Sequence, residues 1–121
     1  MAVAYDEARR RLGPDAIVGV ACGNRDDAID VAEHGADYVA FGAFDDLSPT
    51  DATIEIAEWW SEIMTVPCVG AGCARAADAT RLQATGADFI AVGAAAWPTL
   101  AVTLREIATA LTIPPPRSGG G

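Results

Sequence analysis

Lysine is absent from this 121-residue chain; its eight basic residues are all arginine, set against 17 acidic ones. A net charge of −9 excludes the electropositive surface that nucleic acid or an anionic membrane requires. It still permits a phosphorylated small molecule, because backbone N–H groups and helix N-termini hold phosphate locally. No apolar run approaches the ~18 residues of a membrane span. The N-terminus has no basic region followed by an apolar stretch, so no targeting segment is expected. Cysteine is sparse: Cys22, Cys68 and Cys73 form no CxxC pair, and their odd number points to reduced thiols and a cytoplasmic location. Histidine occurs once, as His34.

What is present is apolar and repetitive. Half of the residues are hydrophobic (51%), enough for one packed domain. Gly35-Ala36-Asp37-Tyr38-Val39-Ala40-Phe41-Gly42-Ala43 returns 51 residues later as Gly86-Ala87-Asp88-Phe89-Ile90-Ala91-Val92-Gly93-Ala94. The same shift carries Gly19-Val20-Ala21-Cys22 onto Gly70-Ala71-Gly72-Cys73 and Asp27-Ala28 onto Asp78-Ala79. A repeated strand, helix, strand unit is the trace of a parallel α/β fold. A complete (β/α)8 barrel needs roughly 200 residues or more, so this chain has room for half of one.

The order reads α(βα)4. A helix over Tyr5–Leu12 stops at Gly13-Pro14-Asp15. Strands follow at 16–21, 38–41, 68–71 and 89–92. They are apolar without alternation, as parallel strands buried on both faces are. Helices are expected from Asn24 or Asp26 to about His34, then over 54–64, 76–85 and 100–111. Gly35 and Gly86 end two of them. The fold class is α/β: half of a TIM (β/α)8 barrel, about four parallel strands with four to five helices. Residues 1–112 form the half-barrel; residues 113–121, Pro- and Gly-rich with nothing to bury, are expected to be a disordered tail.

In such folds chemistry sits where the strands end. The loops after Cys22, Gly42, Ala71 and Gly93 therefore converge. Gly70-Ala71-Gly72-Cys73 and Gly93-Ala94-Ala95 have the character of a shared phosphate site at two helix N-termini. The competing reading is that these small residues only let strand and helix pack closely. Ser48 and Thr50 can donate hydroxyls to phosphate or cap the next helix. Asn24 can meet a polar ring substituent or cap its helix. Asp45 and Asp46 can hold a divalent metal or simply be solvated. Cys22 has no neighbour to lower its pKa, so it is not expected to be a nucleophile. His34 falls at the wrong end of its unit and favours the helix dipole. Of Trp59 and Trp60, only one can face the sheet.

Leu12–Val20, Gly35–Phe44, Trp59–Val69 and Gly86–Val92 together resemble the C-terminal half of thiamine-phosphate synthase; the related thiazole tautomerase shares that fold. The resemblance spans about residues 5 to 110. It implies a transferase of thiamine biosynthesis, helped by Mg2+, that joins hydroxymethylpyrimidine pyrophosphate to thiazole phosphate with release of pyrophosphate. The Mg2+ ligands would lie in the N-terminal half. The implied phosphate-binding positions are Gly72, Cys73, Gly93 and Ala94, with weaker pyrophosphate or pyrimidine contacts at Cys22, Asn24, Ser48 and Thr50.

There are departures. The family's Pro-Thr-x-Thr-Lys loop is Asp45-Asp46-Leu47-Ser48-Pro49-Thr50 here, without a lysine, and its Gly-Gly is Gly72-Cys73. The serine expected at the end of the first strand is Ala21. The tautomerase's histidine is Gly23, which argues against that activity. The implied partners are phosphorylated small molecules and either a complementary half-barrel chain or a second copy in a homodimer. The isolated chain is expected to be inactive. The alternative is a non-catalytic half-barrel remnant or phosphate-ligand-binding module.

Overall fold

A computed structural model of the chain describes residues 2–43, 49–92 and 100–112. Five helices alternate with four strands: α1 (Ala2–Leu12), β1 (Gly19–Ala21), α2 (Arg25–Glu33), β2 (Tyr38–Phe41), α3 (Asp51–Ile63), β3 (Cys68–Cys73), α4 (Ala76–Ala84), β4 (Phe89–Val92) and α5 (Leu100–Thr112). The sheet runs in the order β1-β2-β3-β4. Every neighbouring pair is parallel, with Gly19 opposite Tyr38, Val39 opposite Cys68 and Val69 opposite Phe89. This is the architecture expected from the repeat. The tail at 113–121 lies outside the described residues.

The two faces of the sheet differ. Val39, Phe41 and Cys68 point to the helical side, where they are fully buried with Val31, Ala57 and Trp60. Leu82, Ala79, Cys73 and Ile107 form a second cluster under α4 and α5. Burying a side chain such as Phe41 or Leu82 contributes about 2–3 kcal/mol. Trp60 is the tryptophan that faces the sheet: its indole Nε1 donates to the Val66 carbonyl at 2.7 Å, and its ring meets Phe41 edge-on at 5.8 Å. Trp59 lies outside, under the Arg25 guanidinium at 4.5 Å.

The repeat is visible in the hydrogen bonds. Asp37 Oδ2 accepts from the Val18 N–H at 2.7 Å, and Asp88 Oδ2 accepts from the Cys68 N–H at 3.0 Å. Each aspartate thereby ties the start of the preceding strand. The Val18 N–H, and then Arg9 at 2.7 Å, hold the Asp37 carboxyl below the usual carboxylate range.

Several boundaries move. The first strand is not 16–21 but Gly19–Ala21, because both backbone groups of Val18 are taken by Asp37. α1 begins at Ala2 rather than Tyr5. α3 begins three residues before Ile54 because the Thr50 side chain accepts from the Thr53 N–H and starts the helix there. β3 continues past Ala71 to Cys73, which pairs with Val92 across a bulge at Gly72.

Candidate functional site

Parallel pairing places the C-terminal ends of all four strands on one edge of the sheet. Cys22, Gly42 and Ala74 follow three of them. The extension of β3 is a correction to the expected loop start: Gly72 and Cys73 belong to the strand, and the turn into α4 begins at Ala74. Gly93 and Ala94, after β4, lie outside the described residues, as do Asp45, Asp46 and Ser48.

Between the first two tips the rim opens into a depression of about 290 Å3, lined by Cys22, Gly23, Phe41, Gly42, Thr50, Ala52, Thr53 and Ile56. Its wall is partly hydroxylic. Thr53 is buried and its hydroxyl lies 3.1 Å from that of Thr50. Thr50 is thus brought to the rim, but its oxygen is already engaged as the α3 cap. Asn24 is similarly occupied: its Oδ1 accepts from the Asp27 N–H at 2.8 Å, and its Nδ2 donates to Asp27 Oδ2 at 3.0 Å. Cys22 lines the depression with a buried thiol whose pKa is pushed up to about 11, by burial first and by Asp27 second. Its Sγ donates to the Val20 carbonyl at 3.5 Å, so at neutral pH it is a protonated wall and not a nucleophile.

The second and third tips lean on each other. Gly42 and Gly72 both have left-handed backbones, with φ of +96° and +99°. A Cβ at Gly42 would lie 2.8 Å from the Ala71 carbonyl oxygen; one at Gly72 would lie 3.4 Å from the Ala43 carbonyl oxygen. Gly42 therefore satisfies both turn geometry and close packing, whereas at Gly72 the contact is ordinary and the left-handed backbone alone calls for glycine. Cys73 is fully buried, with its thiol turned to the Arg75 carbonyl at 3.6 Å.

The start of α4 is the part of the rim suited to an anion. Arg75 is its N-cap and makes no side-chain cap hydrogen bond, unlike Asn24 at α2 and Thr50 at α3. The first-turn amides of α4 and the positive end of its dipole face the rim. The Arg75 side chain is largely exposed beside them, with its Nε 3.6 Å from Asp78 Oδ1. Behind the turn sits Asp78, 1% exposed, whose Oδ2 accepts from the Ala74 N–H at 3.1 Å and so fixes the turn's shape. Sequence reasoning names Gly42 as a converging loop start but does not reach Thr53, Arg75 or Asp78. The repeat offers a signal for one of these, since Asp78 matches Asp27. His34 sits at the opposite end of its unit, with Nδ1 3.2 Å from an Asp6 carboxylate oxygen.

Among the described residues no group of three or more His, Cys, Asp or Glu is placed to hold a metal, so these residues do not fit a Mg2+ site. No described helix is long and apolar enough to cross a membrane.

Comparison with known proteins adds the following. Residues 2–96 match the family described as thiamine monophosphate synthase. The chain is 49% identical over 98 residues to the thiamine-phosphate synthase of Rhodospirillum centenum, covering 77% of this chain and 47% of that protein. It is 44% identical over 98 residues to that of Erythrobacter litoralis, covering 75% of this chain and 46% of that one. A solved thiamine phosphate pyrophosphorylase from Pyrococcus furiosus superposes with a TM-score of 0.70 at 24% identity, over 87% of this chain and 53% of the other. That last likeness is one of fold. The chain spans about half the length of the curated relatives it matches.

Proposed function

Because the chain belongs to the thiamine monophosphate synthase family, we propose that it is the phosphate-holding half of a barrel that joins hydroxymethylpyrimidine pyrophosphate to thiazole phosphate once a complementary half closes it. The observation that carries this reading is the family match through residues 2–96, laid on strands whose ends share one edge.

In this reading the backbone at Gly72, Cys73, Gly93 and Ala94 holds the thiazole phosphate. The N-terminus of α4, which lacks a side-chain cap bond, supports it with positive potential, and the Arg75 guanidinium stands beside it in a pair with Asp78. Cys22, Asn24, Ser48 and Thr50 border the pyrimidine or pyrophosphate. The methylene carbon–oxygen bond of the pyrimidine substrate breaks, and the electron pair leaves on pyrophosphate. The thiazole nitrogen then gives its lone pair to that carbon, forming the new carbon–nitrogen bond. No electron acceptor is needed and no side chain must become covalently attached. The chain's contribution is orientation and fixed dipoles. No step here runs through Mg2+; its ligands are assigned to the complementary half.

One observation favours the alternative of a non-catalytic half-barrel. The polar groups of Asn24 and Thr50 are spent on helix caps, and the Cys73 thiol faces inward. An assay decides between the readings: the chain, the unmatched half of the Rhodospirillum centenum relative and both precursors are mixed. Thiamine phosphate and pyrophosphate formed in equal amounts, above the rate of either half alone, support the transferase. Binding of thiazole phosphate without product supports the binding module.

A further inference from the structure

Arg81 belongs to α4 but makes its hydrogen bonds to the start of α3. Its Nη1 donates to the Pro49 carbonyl at 3.3 Å, and its Nη2 donates to Asp51 Oδ1 at 3.2 Å. These partners are the residues on either side of Thr50. A side chain in the second half of α4 can reach the rim because the Cα–Cβ bond of a helical residue tilts toward the helix N-terminus. The planar guanidinium fork then spans two acceptors at once, which a single ammonium does poorly.

Stability alone does not call for this grip. The Asp51 side chain is 96% exposed, so its pairing with Arg81 contributes little. Pro49 is different. It is buried, and its carbonyl stands one residue outside the α3 ladder, which begins with the Thr50 carbonyl accepting from the Ile54 N–H at 3.1 Å. Among the described residues Arg81 is the donor that satisfies it. Pro49 also rests on the third strand tip: a Cβ at Gly72 would meet its N and Cα at 3.5 Å, an ordinary packing distance. Pro49 is therefore held between the β3 bulge and Arg81, and Thr50 follows it directly into the depression. The repeat does not impose this contact. Its 51-residue shift puts Asp30 in the place of Arg81, and Asp30 faces His34 of its own unit at 3.7 Å.

We propose that Arg81 is a positioning residue: by gripping the residues on both sides of Thr50 it sets where the α3 start and the depression beside it stand relative to the Gly72 turn. This rests on the reading above, in which Thr50 borders the pyrophosphate and Gly72 the thiazole phosphate. Arg81 then fixes the spacing at which the two substrates meet while touching neither. A misplacement of about 1 Å can cost on the order of a hundredfold in rate, which is why such a side chain matters.

The test compares the full chain with its Arg81→Ala and Arg81→Lys variants by NMR. In the parent a nuclear Overhauser contact joins Pro49 to the Gly72 α-protons. Arg81→Ala should lose it, while circular dichroism and the urea midpoint stay close to the parent's. Arg81→Lys, which keeps one donor for the Pro49 carbonyl, should retain it. Inorganic pyrophosphate and thiazole phosphate are then titrated separately. Arg81→Ala should weaken pyrophosphate roughly tenfold and thiazole phosphate by less than about twofold. That loss should persist in about 0.5 M salt, where a Debye length of about 4 Å screens the missing charge. The inference is overturned if the Pro49–Gly72 contact survives in Arg81→Ala, or if the pyrophosphate loss vanishes in salt. It is equally overturned if both ligands weaken alike with a matching fall in the urea midpoint, the sign of a merely structural role. A parent that binds neither anion removes the phosphate reading of the rim. The Pro49–Gly72 contact then decides alone: its loss in Arg81→Ala upholds the inference and its persistence overturns it.

Discussion

Replacing Gly42 by alanine probes the contact between the second and third strand tips. Two costs add. The first is backbone strain, since φ is +96°. A residue with a Cβ in that region costs roughly 1–2 kcal/mol. The second is steric: the new methyl would lie 2.8 Å from the Ala71 carbonyl oxygen and 3.1 Å from Thr53 Cγ2. The carbonyl is held in β3 and cannot yield cheaply, so overpacking adds about 1–3 kcal/mol. The total of roughly 2–5 kcal/mol is a large share of the 5–15 kcal/mol typical of a domain. Gly13→Ala supplies the control. Gly13 also has a left-handed φ, +90°, but nothing lies within 4 Å of its would-be Cβ. It should show the backbone cost alone. In urea, followed by circular dichroism and tryptophan fluorescence, Gly42→Ala should lower the midpoint by roughly 1–2 M. Gly13→Ala should lower it by less than half as much. Equal shifts for the two variants would refute the claim that the tips are pressed together.

Other consequences are checked in the same way. Trp60→Phe leaves a cavity where the second indole ring was fully buried and leaves the Val66 carbonyl without its 2.7 Å donor; a loss of about 2–4 kcal/mol in urea titration is expected. Cys22 has a folded pKa raised from 9.0 to about 11, so its contribution to stability is complete below pH 9 and is lost as pH rises toward 11. The urea midpoint of Cys22→Ala should fall less steeply across that window than that of the parent, and alkylation of the folded thiol should stay slow at pH 8. Asn24→Ala removes the α2 cap and should cost about 1 kcal/mol. Arg75→Ala should weaken thiazole phosphate binding several-fold in calorimetry, and the urea midpoint should fall slightly because the buried Asp78 carboxylate loses its ionic partner.

The fold was legible because two signals agreed. The 51-residue repeat fixed the unit, and Gly35 and Gly86 marked helix ends within it. Strand β2 and strand β4 fall where the apolar runs lie. β1 was read too long because its apolar residues do not reveal that Asp37, nineteen positions on, takes both polar groups of Val18. β3 was read too short because Gly72 looked like a loop and is a bulge. The site was legible only in outline. A glycine needed by a ligand and a glycine needed by the backbone or a neighbouring loop have the same letter; the geometry shows a neighbour's requirement at Gly42 and a backbone requirement at Gly72. Thr50 and Asn24 illustrate the same ambiguity, since the oxygen that caps a helix is the one that would meet a substrate. Asp78 was hidden because a carboxylate on a helix normally signals a solvated face, whereas here it is folded back onto the Ala74 N–H.

Amide chemical shifts recorded while thiazole phosphate is added to the isotopically labelled chain test the central claim most directly. The account predicts saturable shifts gathered at Gly72, Ala74 and Ala76, on the edge where the strands end. Shifts confined to Gly13, His34 and Gly35 at the opposite edge, or no saturable shift at all, would contradict it.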